Sequence, residues 1–286
     1  MRLFVTISVG LALIMIGYGV MASRGGDDAG SGGSDAEQAG IANMAVDQPD
    51  AVPTMPIGSG ESAAADSTDF DGEYCVEGDP NADTSLAGKM IIVDPGHGGE
   101  DLGTVNTQFD LTESELVLPI SRKLRDRLVS SGADVCLTRV DDTYTGLGAR
   151  SEFANEHDGD AFVSIHLNSL PDPDTNYTMT IWGNEAKDRF LADTLIKPLR
   201  EGMAEPEQLN GEPNPMSPDL YWVDQLDSNM LKSAQMPAVI VEGSFLSATW
   251  EARAFLDGRE DGTHWREQQI ADLVHEGLND FFDAFE

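Results

Sequence analysis

Three residues that could bind a metal or transfer a proton stand where short apolar, strand-like runs end. His97 follows the run Met90-Ile-Ile-Val93, in a turn rich in proline and glycine. His166 ends a second run, and Glu242 ends the last one in Val239-Ile-Val-Glu-Gly-Ser-Phe245. A lone histidine in a turn is about as often an exposed loop residue as a functional one. Whether His97 is functional therefore depends on which other residues lie close to it in the fold.

Glu113 stands at the start of a predicted helix, and from there its side chain could swing over the edge of a sheet. Two histidines and one carboxylate, with a fourth position left for water, form a typical catalytic zinc sphere. A second carboxylate can then act as a base for that water and as an acid for a departing amine. Glu242 suits this second role, because the small residues Gly243 and Ser244 follow it and leave room for a substrate.

The elements that would position these residues alternate between strand-like and helical runs. Apolar spacing predicts helices over 114–130, 147–157, 186–203 and 264–282, and strands over 90–94, 134–138, 160–166, 177–182, 220–223 and 238–242. We therefore expect an α/β fold, a single domain with a mainly parallel, twisted central sheet of about six strands and helices on both faces. Ligand sites in such sheets lie beyond the carboxyl ends of the strands, so the four residues are expected to meet at one rim.

The N-terminal part of the chain differs in composition from this domain. Residues 1–23 contain a nearly continuous apolar run, which predicts either a secretory signal peptide or an N-terminal membrane anchor over 3–22. Residues 24–86 are rich in Gly, Ser, Ala and Asp without any period, and predict a flexible acidic tether. The folded domain is then 87–286. Either interpretation of the leader predicts an exported protein of the cell envelope, periplasmic or extracellular, that is secreted or tethered to the membrane.

Charge and cysteine content add two expectations. The formal net charge of −34 argues against a nucleic-acid partner, because such binding needs a positive surface. The chain has two cysteines, Cys75 and Cys136. In an exported protein they are expected to form a disulfide that joins the end of the tether to the domain, and two unrelated thiols are the alternative.

Three segments together resemble the signatures of the zinc-dependent N-acetylmuramoyl-L-alanine amidases of the cell-wall hydrolase type. They are Asp94-Pro-Gly-His-Gly-Gly99, Ser164-Ile-His-Leu-Asn168 and Val241-Glu-Gly-Ser-Phe-Leu-Ser247. The resemblance covers residues 88–284. It implies hydrolysis of the amide between N-acetylmuramic acid and L-alanine, with one zinc ion per chain and with peptidoglycan or its fragments as the substrate.

The resemblance also implies roles for individual residues. By position, His97, Glu113 and His166 match the zinc ligands of the family, and Glu242 matches its catalytic glutamate. Glu115 is a rival for Glu113. The family places apolar residues at fixed distances after the ligand glutamate, and this spacing fits Glu113 but not Glu115.

Three further polar residues are candidates for a supporting role. Arg139 and Arg150 could bind a substrate carboxylate, although structural ion pairs are the stronger expectation. Asn168 could contact the substrate or hold a ligand in place, and the sequence does not separate these two roles. The chain departs from the family pattern at Leu167, which follows the second histidine, and at Ala248.

Two other functions compete with the amidase interpretation. One is a cell-wall-binding or regulatory homologue without catalysis, and the other is a zinc peptidase that cuts within the peptide stem. Retention of the glutamate with all three candidate ligands favours an enzyme over the first alternative, whereas only the products would exclude the second. We expect the protein to be a monomer.

Overall fold

The computed structural model describes residues 73–183 and 185–285, and the backbone alone of two N-terminal strands. These strands, β1 (Phe4–Val9) and β2 (Ala12–Gly17), pair antiparallel. Apart from these two strands, the predicted leader over 1–23 and the predicted tether up to residue 72 lie outside the described residues. Both remain predictions. In the part of the chain that the structure describes, no helix combines the length and the apolar character needed to cross a bilayer.

Seven strands of the described domain form one sheet. They are β3 (Cys75–Val76), β4 (Met90–Pro95), β7 (Asp134–Leu137), β8 (Ala161–Asn168), β9 (Thr178–Trp182), β12 (Tyr221–Gln225) and β13 (Ala238–Phe245). Their order is β12-β9-β13-β8-β4-β7-β3. The central strands β13, β8, β4 and β7 are mutually parallel. Strand β9 runs antiparallel to β13, and β3 runs antiparallel to β7. The predicted α/β fold with a mainly parallel sheet is therefore confirmed.

The remaining elements are helices and two small hairpins. The helices are α1 (Glu113–Ser130), α2 (Leu147–Glu156), α3 (Ala186–Gly202), α4 (Asn229–Ser233), α5 (Thr249–Glu260) and α6 (Trp265–Asp283). One hairpin pairs β5 (Val105–Asn106) with β6 (Leu111–Thr112), and the other pairs β10 (Gln208–Leu209) with β11 (Glu212–Pro213). The β5–β6 hairpin directly precedes α1 and bears on the position of Glu113.

The sheet is buried on both faces, as the continuous apolar runs of its central strands require. Successive residues of β4 point to opposite sides, so Ile91 and Val93 enter one core and Ile92 enters the other. Helices α1, α3, α5 and α6 cover the first face, and α2 and α4 cover the second. The predicted helices on both faces are present, and they leave the carboxyl ends of the parallel strands to the loops.

The folded part of the chain begins before the predicted boundary at residue 87. Cys75 of β3 faces Cys136 of β7 across the sheet edge, and a disulfide joins the two residues. The backbone N–H of Gly78 donates to Asp134, and Leu86 is completely buried. Residues from β3 onward therefore belong to the domain, because the edge strand and the disulfide hold them against β7.

Candidate metal centre

Three of the predicted site residues meet at one edge of the sheet. Nε2 of His97 lies 3.0 Å from Oε1 of Glu113, and Nδ1 of His166 lies 2.9 Å from the same oxygen. The two ring nitrogens are 3.1 Å apart. All three side chains are buried, and their donor atoms lie within 4.8 Å of one another. We call His97, Glu113 and His166 the triad.

The turn after β4 presents His97 in an unusual backbone conformation. His97 has a φ of 58°, and Gly98 and Gly99 follow with φ values of 124° and 60°. Glycine reaches such angles at little steric cost, whereas a residue with a β-carbon pays about 1–2 kcal/mol. A residue such as His97 keeps this conformation only where its surroundings fix the backbone.

Arg139 and Arg150 hold that backbone in place. Both side chains are buried. Arg139 donates to the carbonyls of Pro95 and Gly96 at 3.0 and 2.8 Å, and Arg150 donates to those of Pro95 and His97, each at 2.8 Å. The sequence left both substrate contact and structural support open for the two arginines. Their hydrogen bonds correspond to structural support.

The β5–β6 hairpin and the end of β8 position the Glu113 carboxylate. Its Oε2 accepts from the backbone N–H of Thr104 at 2.8 Å, and its Oε1 accepts from that of Leu167 at 2.9 Å. The backbone N–H of Glu113 itself donates to the Thr104 carbonyl. Glu115, two residues later on α1, is exposed. Glu113 rather than Glu115 therefore belongs to the triad.

Two glycines leave the space that the triad occupies. A β-carbon at Gly96 would lie 2.4 Å from Nε2 of His166. A β-carbon at Gly103 would lie 2.6 Å from Oε2 of Glu113 and 2.7 Å from Nε2 of His97. Real β-carbons essentially never approach other atoms within 3.0 Å. The triad is therefore packed directly against bare backbone at these two positions.

The donor atoms of the triad suit a tetrahedral cation such as zinc. Two imidazoles and one carboxylate are a ligand set found at catalytic zinc sites. Ligand atoms about 2.0–2.1 Å from a tetrahedral zinc ion are roughly 3.3 Å from one another. The donor atoms of the triad are 2.9–3.1 Å apart, so small outward shifts would accommodate an ion.

Asp101 is a site residue that the sequence did not single out. Its Oδ1 lies 2.9 Å from Nδ1 of His97, the ring nitrogen that does not face Glu113. A carboxylate in this position fixes the tautomer and the orientation of a metal-binding histidine. Its position four residues after His97, in the same glycine-rich turn, is the feature of the sequence that could have indicated this contact.

The electrostatic field of the triad favours a positive charge. Burial opposes a charge on His97, but the carboxylates of Glu113 and Asp101 outweigh it and raise the pKa of His97 to about 10. Burial likewise opposes a charge on Glu113, yet the two histidines hold the pKa of Glu113 below its usual value. Burial lowers the pKa of His166. A proton or a metal ion can supply the charge that this field favours.

Glu242 lies beside the triad on the neighbouring strand. It is paired with His166 in the register of β13 and β8. Its side chain is buried, and neither carboxylate oxygen has a hydrogen-bond partner among the described residues. Burial and the negative charge of Glu113 raise the pKa of Glu242 well above its usual value, against an opposing effect of His97. A buried carboxyl with unused oxygens at a sheet edge is a candidate for proton transfer.

Asn168 is the candidate that the structure does not join to the triad. It is buried at the end of β8, two residues after His166. Its Nδ2 donates to Sδ of Met179 at 3.5 Å, and its Oδ1 accepts from the backbone N–H of Ser169 at 2.7 Å. The amide of Asn168 therefore binds residues of the fold.

A cavity of about 270 Å³ adjoins the triad. His97, His166 and Asp101 contribute to its lining, together with Leu147 at the start of α2 and Tyr144 in the segment before it. The Tyr144 and Leu147 side chains remain 49% and 37% exposed. The cavity thus has the two histidines of the triad on one side and exposed apolar side chains on another, so it offers room for a substrate group.

Comparison with known proteins identifies the family. The family model described as N-acetylmuramoyl-L-alanine amidase matches residues 91–279, from β4 into α6. The chain belongs to this amidase family. The match confirms the family that the sequence resembles, and the matched range includes the positions of all four predicted site residues.

A curated relative of this amidase domain has been described as a cell-wall enzyme. The probable cell wall amidase LytH of Staphylococcus aureus is 29% identical over 201 residues, which are 70% of this chain and 60% of that protein. The chain therefore spans about 60% of the length of the curated relatives it matches.

Solved amidase structures share the fold. An N-acetylmuramoyl-L-alanine amidase from Clostridium difficile 630 is 26% identical with a TM-score of 0.58, over 70% of this chain and 99% of that one. The amidase AmiC2 of Nostoc punctiforme is 25% identical with a TM-score of 0.56, over 69% of this chain and 99% of that one. Both matched chains are covered almost completely, so the likeness extends over the whole amidase domain.

Proposed function

We propose that the protein hydrolyses the amide bond between the lactyl group of N-acetylmuramic acid and L-alanine in peptidoglycan. The observation that carries the proposal is the triad, in which three donor atoms from a turn, a helix start and a strand end converge beside Glu242. Membership of the amidase family supports the substrate class. The cavity beside the triad supplies space for the part of a substrate next to the scissile bond.

In this proposal His97, Glu113 and His166 hold one zinc ion per chain. Zinc in such a site lowers the pKa of water toward about 7 and polarises the carbonyl oxygen of a substrate. The residues around the triad keep the ligands in position. Asp101 orients the imidazole of His97, and the backbone N–H groups of Thr104 and Leu167 orient the Glu113 carboxylate.

Glu242 transfers the protons of the reaction. A cation held by the triad would favour the ionised form of Glu242. The carboxylate would then take a proton from the attacking water and return it to the amine of L-alanine as the amide bond breaks. The lack of hydrogen-bond partners among the described residues leaves both oxygens available for this exchange. Burial strengthens the interaction of the carboxylate with a charge that develops nearby.

The same proposal places the protein in the cell envelope. Peptidoglycan lies outside the cytoplasmic membrane, and the apolar run over 3–22 would act as a signal peptide or as a membrane anchor. The acidic stretch that follows would tether the domain near its substrate. We further propose that the protein acts as a monomer on peptidoglycan or its fragments.

The experiment that tests the proposal measures metal content and reaction products on the purified protein. We expect one zinc per chain and, after incubation with peptidoglycan, fragments whose masses show free L-alanine amino termini and intact glycan. Cleavage inside the peptide stem would instead indicate a zinc peptidase. Bound zinc without any released fragment would indicate a missing activator or a wall-binding homologue without catalysis.

A further inference from the structure

The strand that carries Glu242 contains an irregularity directly after this residue. Glu242 pairs with His166, but Phe245 pairs with Asn168, so three steps along β13 match two steps along β8. The extra residue forms a β-bulge at Gly243 and Ser244. Bulges redirect the side chains next to them and are common beside active sites. Because no hydrogen bond among the described residues holds the Glu242 carboxylate, its direction depends on how this backbone is fixed.

Two side chains hold the two ends of the bulge, one from β9 and one from the segment directly before β9. The hydroxyl of Thr178 donates to the backbone carbonyl of Glu242 at 3.4 Å. Oδ1 of Asn176 accepts from the backbone N–H of Phe245 at 2.8 Å. The bond to Asn176 is the shorter of the two, and Asn176 is 1% exposed.

Asn176 is itself tied to a buried ion pair. Its Nδ2 donates to Oε2 of Glu251 on α5 at 2.9 Å. Arg266 of α6 binds both oxygens of Glu251, each at 2.8 Å, and both side chains of this pair are completely buried. A bidentate arginine fixes a carboxylate in orientation as well as in distance. The Asn176 amide is therefore held at both of its polar ends.

We propose that Asn176, supported by the Glu251–Arg266 pair, is a positioning residue that sets the direction of the Glu242 carboxylate through the bulge. The inference rests on the proposed function of Glu242. The amide touches neither the triad donor atoms nor the cavity lining among the described contacts. Its effect on turnover is therefore expected to pass through the backbone between Glu242 and Phe245.

The test replaces Asn176 in the full-length protein. Asn176→Ala removes the acceptor for the Phe245 N–H. We expect one zinc per chain, a KM within about threefold of wild type, and a kcat lower by about 10–100-fold, the range typical of residues that support an active site. Asn176→Asp keeps an oxygen that accepts from the Phe245 N–H, but it places a second carboxylate beside that of Glu251. It should retain more of kcat than Asn176→Ala, whatever it costs in thermal stability.

A matched control separates positioning from general destabilisation. Thr180 is buried on β9, and its hydroxyl donates at 3.1 Å to the carbonyl of Ala192 in α3, not to the backbone of the bulge. Thr180→Val should lower the midpoint of thermal unfolding while kcat stays at the wild-type value. If kcat in all three variants simply followed the unfolding midpoint, the positioning role would be wrong.

A double mutant tests whether Asn176 acts through Glu242. Glu242→Gln should bind zinc and keep only a small residual turnover, and Asn176→Ala should not lower this residual turnover further. A wild-type kcat in Asn176→Ala, or an equal additional loss in the double mutant, would overturn the inference and leave the proposed function intact. Full turnover by Glu242→Gln alone would instead reject the role of Glu242 and the inference with it.

Discussion

Nη2 of Arg150 donates a hydrogen bond of 2.8 Å to the backbone carbonyl of His97. The same guanidinium donates to the carbonyls of Pro95 and Thr145, each at 2.8 Å, and to Oδ1 of Asp94 at 2.7 Å. One buried side chain thus joins the end of β4, the turn that presents His97 and the segment before α2. The bridge therefore fixes the backbone that presents His97 relative to two neighbouring segments.

The first prediction concerns Arg150→Lys. A lysine keeps the charge, but its single ammonium cannot reproduce a planar fork that donates in several directions. Buried carbonyls would lose their donors, at a cost of about 1–3 kcal/mol in the free energy of unfolding. We expect zinc affinity to fall by about 10–100-fold, because the backbone of His97 would no longer be fixed. Metal titration and denaturant unfolding measure the two effects.

Arg127→Lys is the control for that prediction. Arg127 also forms a bidentate pair, with Asp272, but both side chains are about half exposed. Exposed pairs contribute about 0–1 kcal/mol, so stability should change little and zinc affinity should not change. Equal losses in the two lysine variants would show that Arg150 has no special role at the site.

The sequence predicted the part of the site that depends on strand ends. His97, His166 and Glu242 each close an apolar run, and the carboxyl ends of parallel strands meet at one edge. The choice between Glu113 and Glu115 required the resemblance, because both stand in the first turn of a helix. The structure decides it physically. The backbone N–H groups of Thr104, directly before β5, and of Leu167 in β8 bind the Glu113 carboxylate, whereas Glu115 is exposed to solvent.

Other features could not be predicted from local pattern. Apolar periodicity does not give strand direction, so the antiparallel course of β9 is invisible in the sequence. Strand β3 has only two residues and belongs to the domain because of its pairing and its disulfide. Asn176 and Glu251 are 75 residues apart, and no spacing rule brings them together. Helix α5 is different, because its apolar residues do follow a helical spacing and make this helix predictable from sequence.

The second prediction concerns acid stability and Asp94. Burial opposes ionisation of this side chain, but Arg150 and the hydroxyls of Ser164 and Thr138 outweigh it and hold the pKa of Asp94 below its usual value. Such a group stabilises the fold above the unfolded-state pKa of about 3.9, and the stabilisation is lost as the pH falls through the folded-state pKa. Wild-type stability should therefore fall steeply below about pH 4.

Asp94→Asn should remove this part of the pH dependence. Near neutral pH we expect the free energy of unfolding to fall by about 3–5 kcal/mol, since Arg150 keeps a buried charge without its partner. The difference from wild type should shrink as the pH falls below about 4. Asp272→Asn, at a half-exposed partner of Arg127, serves as the control. A difference for Asp94→Asn that stays constant from pH 7 to pH 3 would contradict the argument.

The third prediction separates two glutamates in one helical turn. Glu113→Gln replaces a buried carboxylate that contacts both histidines of the triad, whereas Glu115→Gln changes an exposed side chain. We expect the first variant to lose stoichiometric zinc and turnover, and the second to keep both. Metal analysis after dialysis gives the result directly. Zinc loss in Glu115→Gln, with normal binding in Glu113→Gln, would reverse the assignment of the third ligand.

The fourth prediction concerns the space left by Gly96. A methyl group at this position would lie 2.3–2.7 Å from three atoms of the His166 ring, so Gly96→Ala must displace the imidazole or the turn. We expect zinc affinity to fall by at least about tenfold, as for other disturbances of ligand orientation.

Gly148→Ala provides the control, because a β-carbon there meets nothing within 4 Å and the residue lies in α2. An alanine inside a helix stabilises by roughly 0.5–1 kcal/mol relative to glycine, so this variant should unfold at a higher temperature and bind zinc normally. Normal zinc binding by Gly96→Ala would show that His166 can shift without leaving the metal site.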